Sequence, residues 1–319
     1  MGRSPDPVQS FLDEAGILIL DGGLATELEA RGYDLNDPLW SARLLTESPQ
    51  AIRRLHRDYL AAWADCIISA SYQATREGFM RMGLTEERAR ELLLLAVGLA
   101  LEAREEFWAV EANRVGRRRP LVAASIGPYG AYLANGAEYT GDYGIGEAHL
   151  VDFHRWRWQV LAGSGADLLA CETIPSFAET RALRRLLDET ADAQVWFSFS
   201  CRDGERIRDG TLLADCVRLL ADHPRVVAVG VNCTAPVYVP DLVRAARRVT
   251  EKPILAYPNS GETYDAAGKR WVEGPERTPF GSASPSWRAA GARLIGGCCR
   301  TSPQDIREIR HRLLHECGP

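Results

Sequence analysis

The fold of this chain is decided by residues 226–257. There Val226-Val227-Ala228-Val229-Gly230-Val231-Asn232-Cys233 is followed by Pro240-Asp241-Leu242-Val243-Arg244-Ala245-Ala246-Arg247-Arg248-Val249, and then by Ile254-Leu255-Ala256-Tyr257. The first and last blocks are short, continuous and apolar, as strands buried on both faces are. The middle block opens on proline and spaces its apolar residues at 242, 243, 246 and 249, which predicts a helix. Strand, helix and strand in this order imply parallel strands.

The same alternation runs through the chain in both directions. Further strands are predicted at 17–20, 66–70, 121–126, 167–170, 195–199 and 293–295, and helices at 49–63, 85–112, 147–162, 177–187, 212–221 and 303–314. Several helices carry start signals: Ser48-Pro49, Thr85 before Glu86-Glu87, and Ser302-Pro303. Eight strand–helix units in 319 residues predict an α/β fold, a (βα)8 TIM barrel forming one domain over 1–319. Residues 1–14 are expected to be an N-terminal extension or helix. A doubly wound open sheet is the competing architecture, but Asp21-Gly22-Gly23-Leu24-Ala25 lacks the G-x-G-x-x-G spacing it would need. The longest irregular stretches, 127–146 and 259–286, would follow strands three and seven and so belong to the face where barrel sites form.

Composition narrows the function. Apolar residues make up 46% and charged residues 25%, with a net charge of −5. The one dense basic run, Arg117-Arg118-Arg119, reads as a solvated loop, so no nucleic-acid partner is expected. The most apolar stretch, 92–101, lies between Glu91 and Glu102 and is too short to span a bilayer, so no membrane partner is expected either. Residues 1–10 are polar and include two prolines, unlike a secretory signal. Eight cysteines in that context suggest a reducing, cytoplasmic setting in which clustered thiols serve metal binding or catalysis.

A barrel would bring its strand ends to one mouth. These are Asp21-Gly22-Gly23, Ser69 and Ser71, Gly127-Pro128-Tyr129, Cys171-Glu172, Ser200-Cys201, Asn232-Cys233, Pro258-Asn259-Ser260 and Gly297-Cys298-Cys299. No histidine is among them. Cys233, Cys298 and Cys299 could form a three-sulfur cup for one Zn²⁺, with a fourth position left for substrate. They could equally be packing residues, or a redox protein's vicinal pair at Cys298 and Cys299. Three thiolates leave the bare zinc site at about −1, poorly suited to activating water and better suited to ionising a substrate thiol with a pKa near 8.5.

Asp21 and Glu172 are candidates to hold a substrate ammonium group, with Gly22 and Gly23 allowing close approach to backbone; a turn role is the alternative for Asp21. The third loop carries Tyr129, Tyr132, Tyr139 and Tyr143. It could wall a sulfonium or quaternary ammonium, or simply pack on itself. Trp40 is a second aromatic candidate. Cys171 and Cys201 read as packing residues, as do Trp156, Trp158 and Trp196. Cys66, Cys216 and Cys317 have no site context.

The ordered motifs resemble one family. They are 20–29 (Leu20-Asp21-Gly22-Gly23 onward), Leu39-Trp40-Ser41-Ala42, Ser69-Ala70-Ser71-Tyr72-Gln73, Gly127-Pro128-Tyr129-Gly130, Ala170-Cys171-Glu172-Thr173, Gly230-Val231-Asn232-Cys233, Tyr257-Pro258-Asn259-Ser260-Gly261 and Gly296-Gly297-Cys298-Cys299. Together they are similar to the homocysteine S-methyltransferase family over roughly 15–315, nearest to its S-methylmethionine-dependent branch. The resemblance implies a (βα)8 barrel with zinc on Cys233, Cys298 and Cys299, and homocysteine sulfur as fourth ligand. It implies that Asp21 and Glu172 hold the homocysteine amino group, assisted by Gly22-Gly23 backbone and Ser69. It also implies Trp40 beside the methyl donor, which would be S-methylmethionine or S-adenosylmethionine. Betaine-homocysteine and selenocysteine methyltransferases are the neighbouring alternatives, and the tyrosine loop departs from the betaine-using branch.

Overall fold

The computed structural model describes residues 6–35, 41–261, 263–265, 270–272 and 277–314. Eight parallel strands form its centre: β1 (Leu18–Ile19), β2 (Cys66–Ile68), β3 (Leu121–Ile126), β4 (Leu168–Ile174), β5 (Val195–Phe199), β6 (Val226–Asn232), β7 (Ile254–Tyr257) and β8 (Ala292–Ile295). They pair in the order β1-β8-β7-β6-β5-β4-β3-β2. A parallel bridge between Leu20 and Cys66 then joins β1 to β2 and closes the ring. The Asp21 N–H donates to the Cys66 carbonyl at 3.1 Å on the same seam. This is the (βα)8 TIM barrel that the alternation predicts.

Helices cover the outside: Pro49–Ala61, Glu86–Ala109, Glu147–Ala162, Phe177–Asp188, Leu213–Ala221, Val239–Arg247, Phe280–Ala290 and Pro303–Leu314. Thr85 caps its helix as expected, its hydroxyl accepting from the Arg88 N–H at 3.2 Å. Ser48 makes no side-chain cap, and Pro49 alone sets that helix start. Phe280–Ala290 is the one outer helix hidden from the sequence pattern. Gly281 and an internal Pro285 argue against a helix, but Gly281 lets Glu308 of the next helix pack closely, its Cβ 3.1 Å from where a Gly281 Cβ would stand. The preceding irregular stretch also holds an antiparallel hairpin, Thr263–Asp265 with Arg270–Val272. Among the described residues, no helix is long and apolar enough to cross a membrane.

Strand side chains alternate with period two between the barrel interior and the helix layer. Leu18, Leu20, Cys66, Leu121, Ala123, Leu168, Ala170, Trp196, Leu255, Tyr257 and Leu294 fill the interior. Cys171, Phe197, Val229 and Val231 face the helices. Val8 and Phe11, at and just inside the start of the helix Gln9–Ala15, join the interior cluster and plug the end where the strands begin. The expected N-terminal element is therefore a stopper in the part described, residues 6–15.

His56 tests this packing. It is fully buried on the helix Pro49–Ala61, and neither ring nitrogen has a hydrogen-bond partner among the described residues. Burial lowers its pKa to about 4. Below about pH 6.5 the unfolded chain takes up a proton that the folded chain does not, so stability falls on acidification by up to about 1.4 kcal/mol per pH unit until about pH 4. Replacing His56 by leucine removes an unsatisfied polar ring. It should raise stability by about 1–3 kcal/mol and lessen the loss between pH 6.5 and 4. Thermal melts at pH 5 and pH 8 check this; a lower melting temperature at both values would contradict it.

Candidate active site at the barrel mouth

Continuing the alternation upward puts Ser125, Glu172, Ser198, Asn232, Tyr257 and Cys298 on the interior side, above the apolar layer. Above them lies a cavity of about 160 Å³ lined by residues of the first, second, third, fourth, sixth and eighth loops. Of the expected site residues, Asp21, Gly22, Gly23, Ser69, Glu172, Cys233, Cys298 and Cys299 all line it.

The three thiols converge. Cys233 Sγ lies 2.8 Å from Cys298 Sγ and 3.7 Å from Cys299 Sγ, and the last two are 4.0 Å apart. A tetrahedral ion with Zn–S bonds of about 2.3 Å has ligand edges of about 3.8 Å, so two of the three edges already fit. All three cysteines are free, and they are the one group of three metal-ligating side chains that converges among the described residues. Hydrogen bonds from Cys298 and Cys299 pull the Cys233 thiol well below its usual range, while the same contacts with Cys233 push the other two up.

Adjacent cysteines can share one cup because the turn around them is tied down on both sides. The Cys298 N–H donates to the Pro258 carbonyl at 2.8 Å, and the Ser260 N–H to the Cys299 carbonyl at 3.1 Å. Thr301 Oγ1 donates to the Cys298 carbonyl at 2.6 Å. On the sixth loop Cys233 holds φ +47, and its neighbour in space Thr173 holds φ +62, both in the left-handed region that costs a branched or bulky residue energy. Asn232 supports Thr173 from both sides: its Oδ1 accepts from the Thr173 N–H and its Nδ2 donates to the hydroxyl, each at 2.7 Å.

Gly22 and Gly23 line the cavity, but the structure uses their missing side chains for packing. A Cβ on Gly22 would stand 2.8 Å from Thr301 Oγ1, and one on Gly23 would stand 2.5 Å from the Cys298 carbonyl oxygen. The first loop is thus laced to the turn that carries the thiols.

Asp21 and Glu172 are buried carboxylates without a cation. Among the described residues neither has a basic side chain in ion-pair reach, and no Lys, Arg or His lines the cavity. Asp21 Oδ2 accepts from the Ile68 N–H at 2.8 Å. Glu172 accepts from Ser125 Oγ and, at 3.2 Å, from the Tyr257 hydroxyl. Burial pushes Asp21 well up from the carboxylate range and Glu172 up to about 8. Such groups call for a cationic ligand. Ser69 Oγ shares a hydrogen bond with Ser71 Oγ at 2.7 Å and accepts from the Ser125 N–H at 3.1 Å.

The aromatic expectations fare differently. Tyr129 lies outside the lining, packed edge-on against Phe153 at 4.8 Å and Tyr143 at 5.3 Å. Its backbone N–H donates to buried Glu179, which also takes the Tyr143 hydroxyl and pairs with His154 at 2.7 Å. Of the four loop tyrosines, only Tyr139 lines the cavity. Tyr72, on the second loop, lines it too and carries no helix or strand signal in the sequence. Trp40 lies outside the described residues, as does Cys317. Cys171 and Cys201 are buried in the core as packing residues.

Comparison with known proteins agrees with this geometry. The family model described as homocysteine S-methyltransferase matches residues 18–313. A homocysteine S-methyltransferase of Bacillus subtilis is 51% identical, over 95% of this chain and 96% of its own length. A selenocysteine Se-methyltransferase of Brassica oleracea is 49% identical over 95% of this chain and 90% of its own. The crystal structure of the Escherichia coli homocysteine methyltransferase in its metallated form superposes with a TM-score of 0.86 at 47% identity, covering 96% of this chain and 99% of that one.

Proposed function

We propose a metal, a donor and residue roles for this chain, which belongs to the homocysteine S-methyltransferase family. It is a methyltransferase that acts on homocysteine. The metal is one Zn²⁺, held by Cys233, Cys298 and Cys299. The observation that carries this reading is the converging all-sulfur donor set, which selects a soft metal over magnesium or manganese. That the Escherichia coli relative has a metallated form supports a metal in this family's site. Zinc in that cup would supply a Lewis acid able to keep a substrate thiol ionised at neutral pH.

The protein's own residues do the rest. The whole chain serves as one homocysteine-binding barrel. Asp21 and Glu172 receive the homocysteine ammonium group, which returns both to the charged form that burial disfavours. Ser69 and the Gly22-Gly23 backbone complete that end. The substrate sulfur is then aimed at a methyl carbon whose leaving sulfur lies opposite, so alignment supplies much of the rate.

The donor is a sulfonium, S-methylmethionine or S-adenosylmethionine. Its sulfur leaves with the electron pair of the broken S–CH₃ bond as a neutral thioether, so no general acid is needed. The cavity fits that charge: carboxylates, thiols and phenols line it, with no basic side chain among the described residues. An assay on homocysteine should show transfer from S-methylmethionine at least as fast as from S-adenosylmethionine, and faster than from betaine, with loss of turnover after chelation and recovery with Zn²⁺. Preference for betaine would refute the donor, and chelator-resistant turnover would refute the metal.

A further inference from the structure

The cavity holds a third carboxylate that the homocysteine end does not use. Glu138 sits on the third loop and lines the cavity together with Tyr72 and Tyr139, near enough to both phenols for its charge to push them up. Asp21 and Glu172 each accept hydrogen bonds from the protein, but Glu138 Oε2 is buried with no partner among the described residues. A buried, unpartnered carboxylate oxygen is costly unless a ligand completes it.

The position is built. Gly130 has no side chain where a Cβ would fall onto the Glu138 backbone nitrogen. Gly136 precedes Glu138's short helical turn at φ +84, and Asn135 Oδ1 accepts from the Ala137 N–H at 3.1 Å. Underneath, Glu179 ties down the start and the end of the same loop through Tyr129 and Tyr143. The contact that the loop itself offers the Glu138 carboxylate is its own backbone N–H.

Two amino-acid substrates would bring two ammonium groups into a cavity lined by carboxylates and, among the described residues, by no basic side chain. The Asp21–Glu172 end takes one. We infer that Glu138 receives the α-ammonium group of the methyl donor, so that the enzyme selects sulfonium donors that are also amino acids over sulfonium or quaternary ammonium donors that lack the amine. Tyr72 and Tyr139 would flank the same donor's sulfonium. The inference rests on the sulfonium donor proposed above.

The test uses the full-length enzyme with Glu138→Gln, which keeps size and removes charge, and two donors: S-methylmethionine, and dimethylsulfoniopropionate, a sulfonium carboxylate without the amine. The KM for S-methylmethionine should rise about 10- to 100-fold. The wild-type preference for S-methylmethionine over dimethylsulfoniopropionate should shrink by a similar factor. The Kd of homocysteine, measured calorimetrically without donor, should stay within about twofold. An unchanged donor preference overturns the inference, and so does an equal loss of homocysteine binding. If the wild-type enzyme uses neither of these nor S-adenosylmethionine, the donor reading falls and takes the inference with it; if it uses S-adenosylmethionine alone, the KM for that amino-acid donor is the one that should rise. If wild type uses S-methylmethionine and Glu138→Gln is indifferent, the inference alone falls.

Discussion

Cys298→Ala should lose bound metal and turnover together. Cys298 Sγ touches both other thiols, at 2.8 Å and 4.0 Å, so its removal leaves only two sulfur ligands, on the sixth and eighth loops, to hold an ion. Loss of partners that only support metal ligands costs about 10- to 100-fold in activity or metal affinity, so loss of a ligand itself should exceed a hundredfold. The fold should persist, because the turn is held by backbone bonds to Pro258 and Ser260 and not by the thiol. Cys216→Ala is the matched control: a free thiol buried on the helix Leu213–Ala221 and absent from the cavity lining. Metal content and single-turnover rates decide the matter. A folded, metal-free Cys298→Ala enzyme with wild-type turnover would refute the three-thiol site.

Glu172→Gln should weaken homocysteine by about 1.5–3 kcal/mol, roughly 10- to 150-fold in Kd. The amide keeps an oxygen to accept from Ser125, and the Tyr257 hydroxyl retains Ser198 at 2.5 Å, so the interior layer has no new unpaired group on that side. What is lost is the negative charge, and with it the reason for burying a carboxylate whose pKa the site lifts to about 8. Melting temperature should stay level or rise, since an uncompensated buried carboxylate is replaced by a neutral group. Titration of homocysteine into the metal-loaded variant measures the effect. Unchanged affinity would remove Glu172 from the ammonium site.

Much of this was legible before any coordinates. Short apolar runs such as 226–231 are visible because parallel strands are buried on both faces. Once the strands are placed, their ends predict which residues meet. The thiols, Asp21, Ser69 and Glu172 follow from that rule alone. Glu172 sits inside β4 rather than after it, because register shifts between Cys171 and Ile174 let the strand run on past the expected end. Loops defeat the rule. Tyr129 follows strand β3 closely yet is drawn outward by its bond to Glu179, a buried carboxyl group fifty residues away in sequence. Glu138 and Tyr139 reach the cavity only because glycine at 130 lets the loop fold across itself. The helix Phe280–Ala290 was hidden for a similar reason: Gly281 answers to close packing against Glu308, not to helix propensity.

The plug of Val8 and Phe11 has a consequence for traffic. Both residues add to an interior already packed with side chains, so everything that enters must also leave by the mouth. On the proposed roles, the amino-acid end of homocysteine would rest on Asp21 and Glu172, which extend the packed interior, and the donor on the third-loop wall that carries Glu138 and Tyr139. A molecule resting on that wall would block the route to those carboxylates. With that placement homocysteine would arrive first and the donor second, and the demethylated donor would depart before the methylated homocysteine.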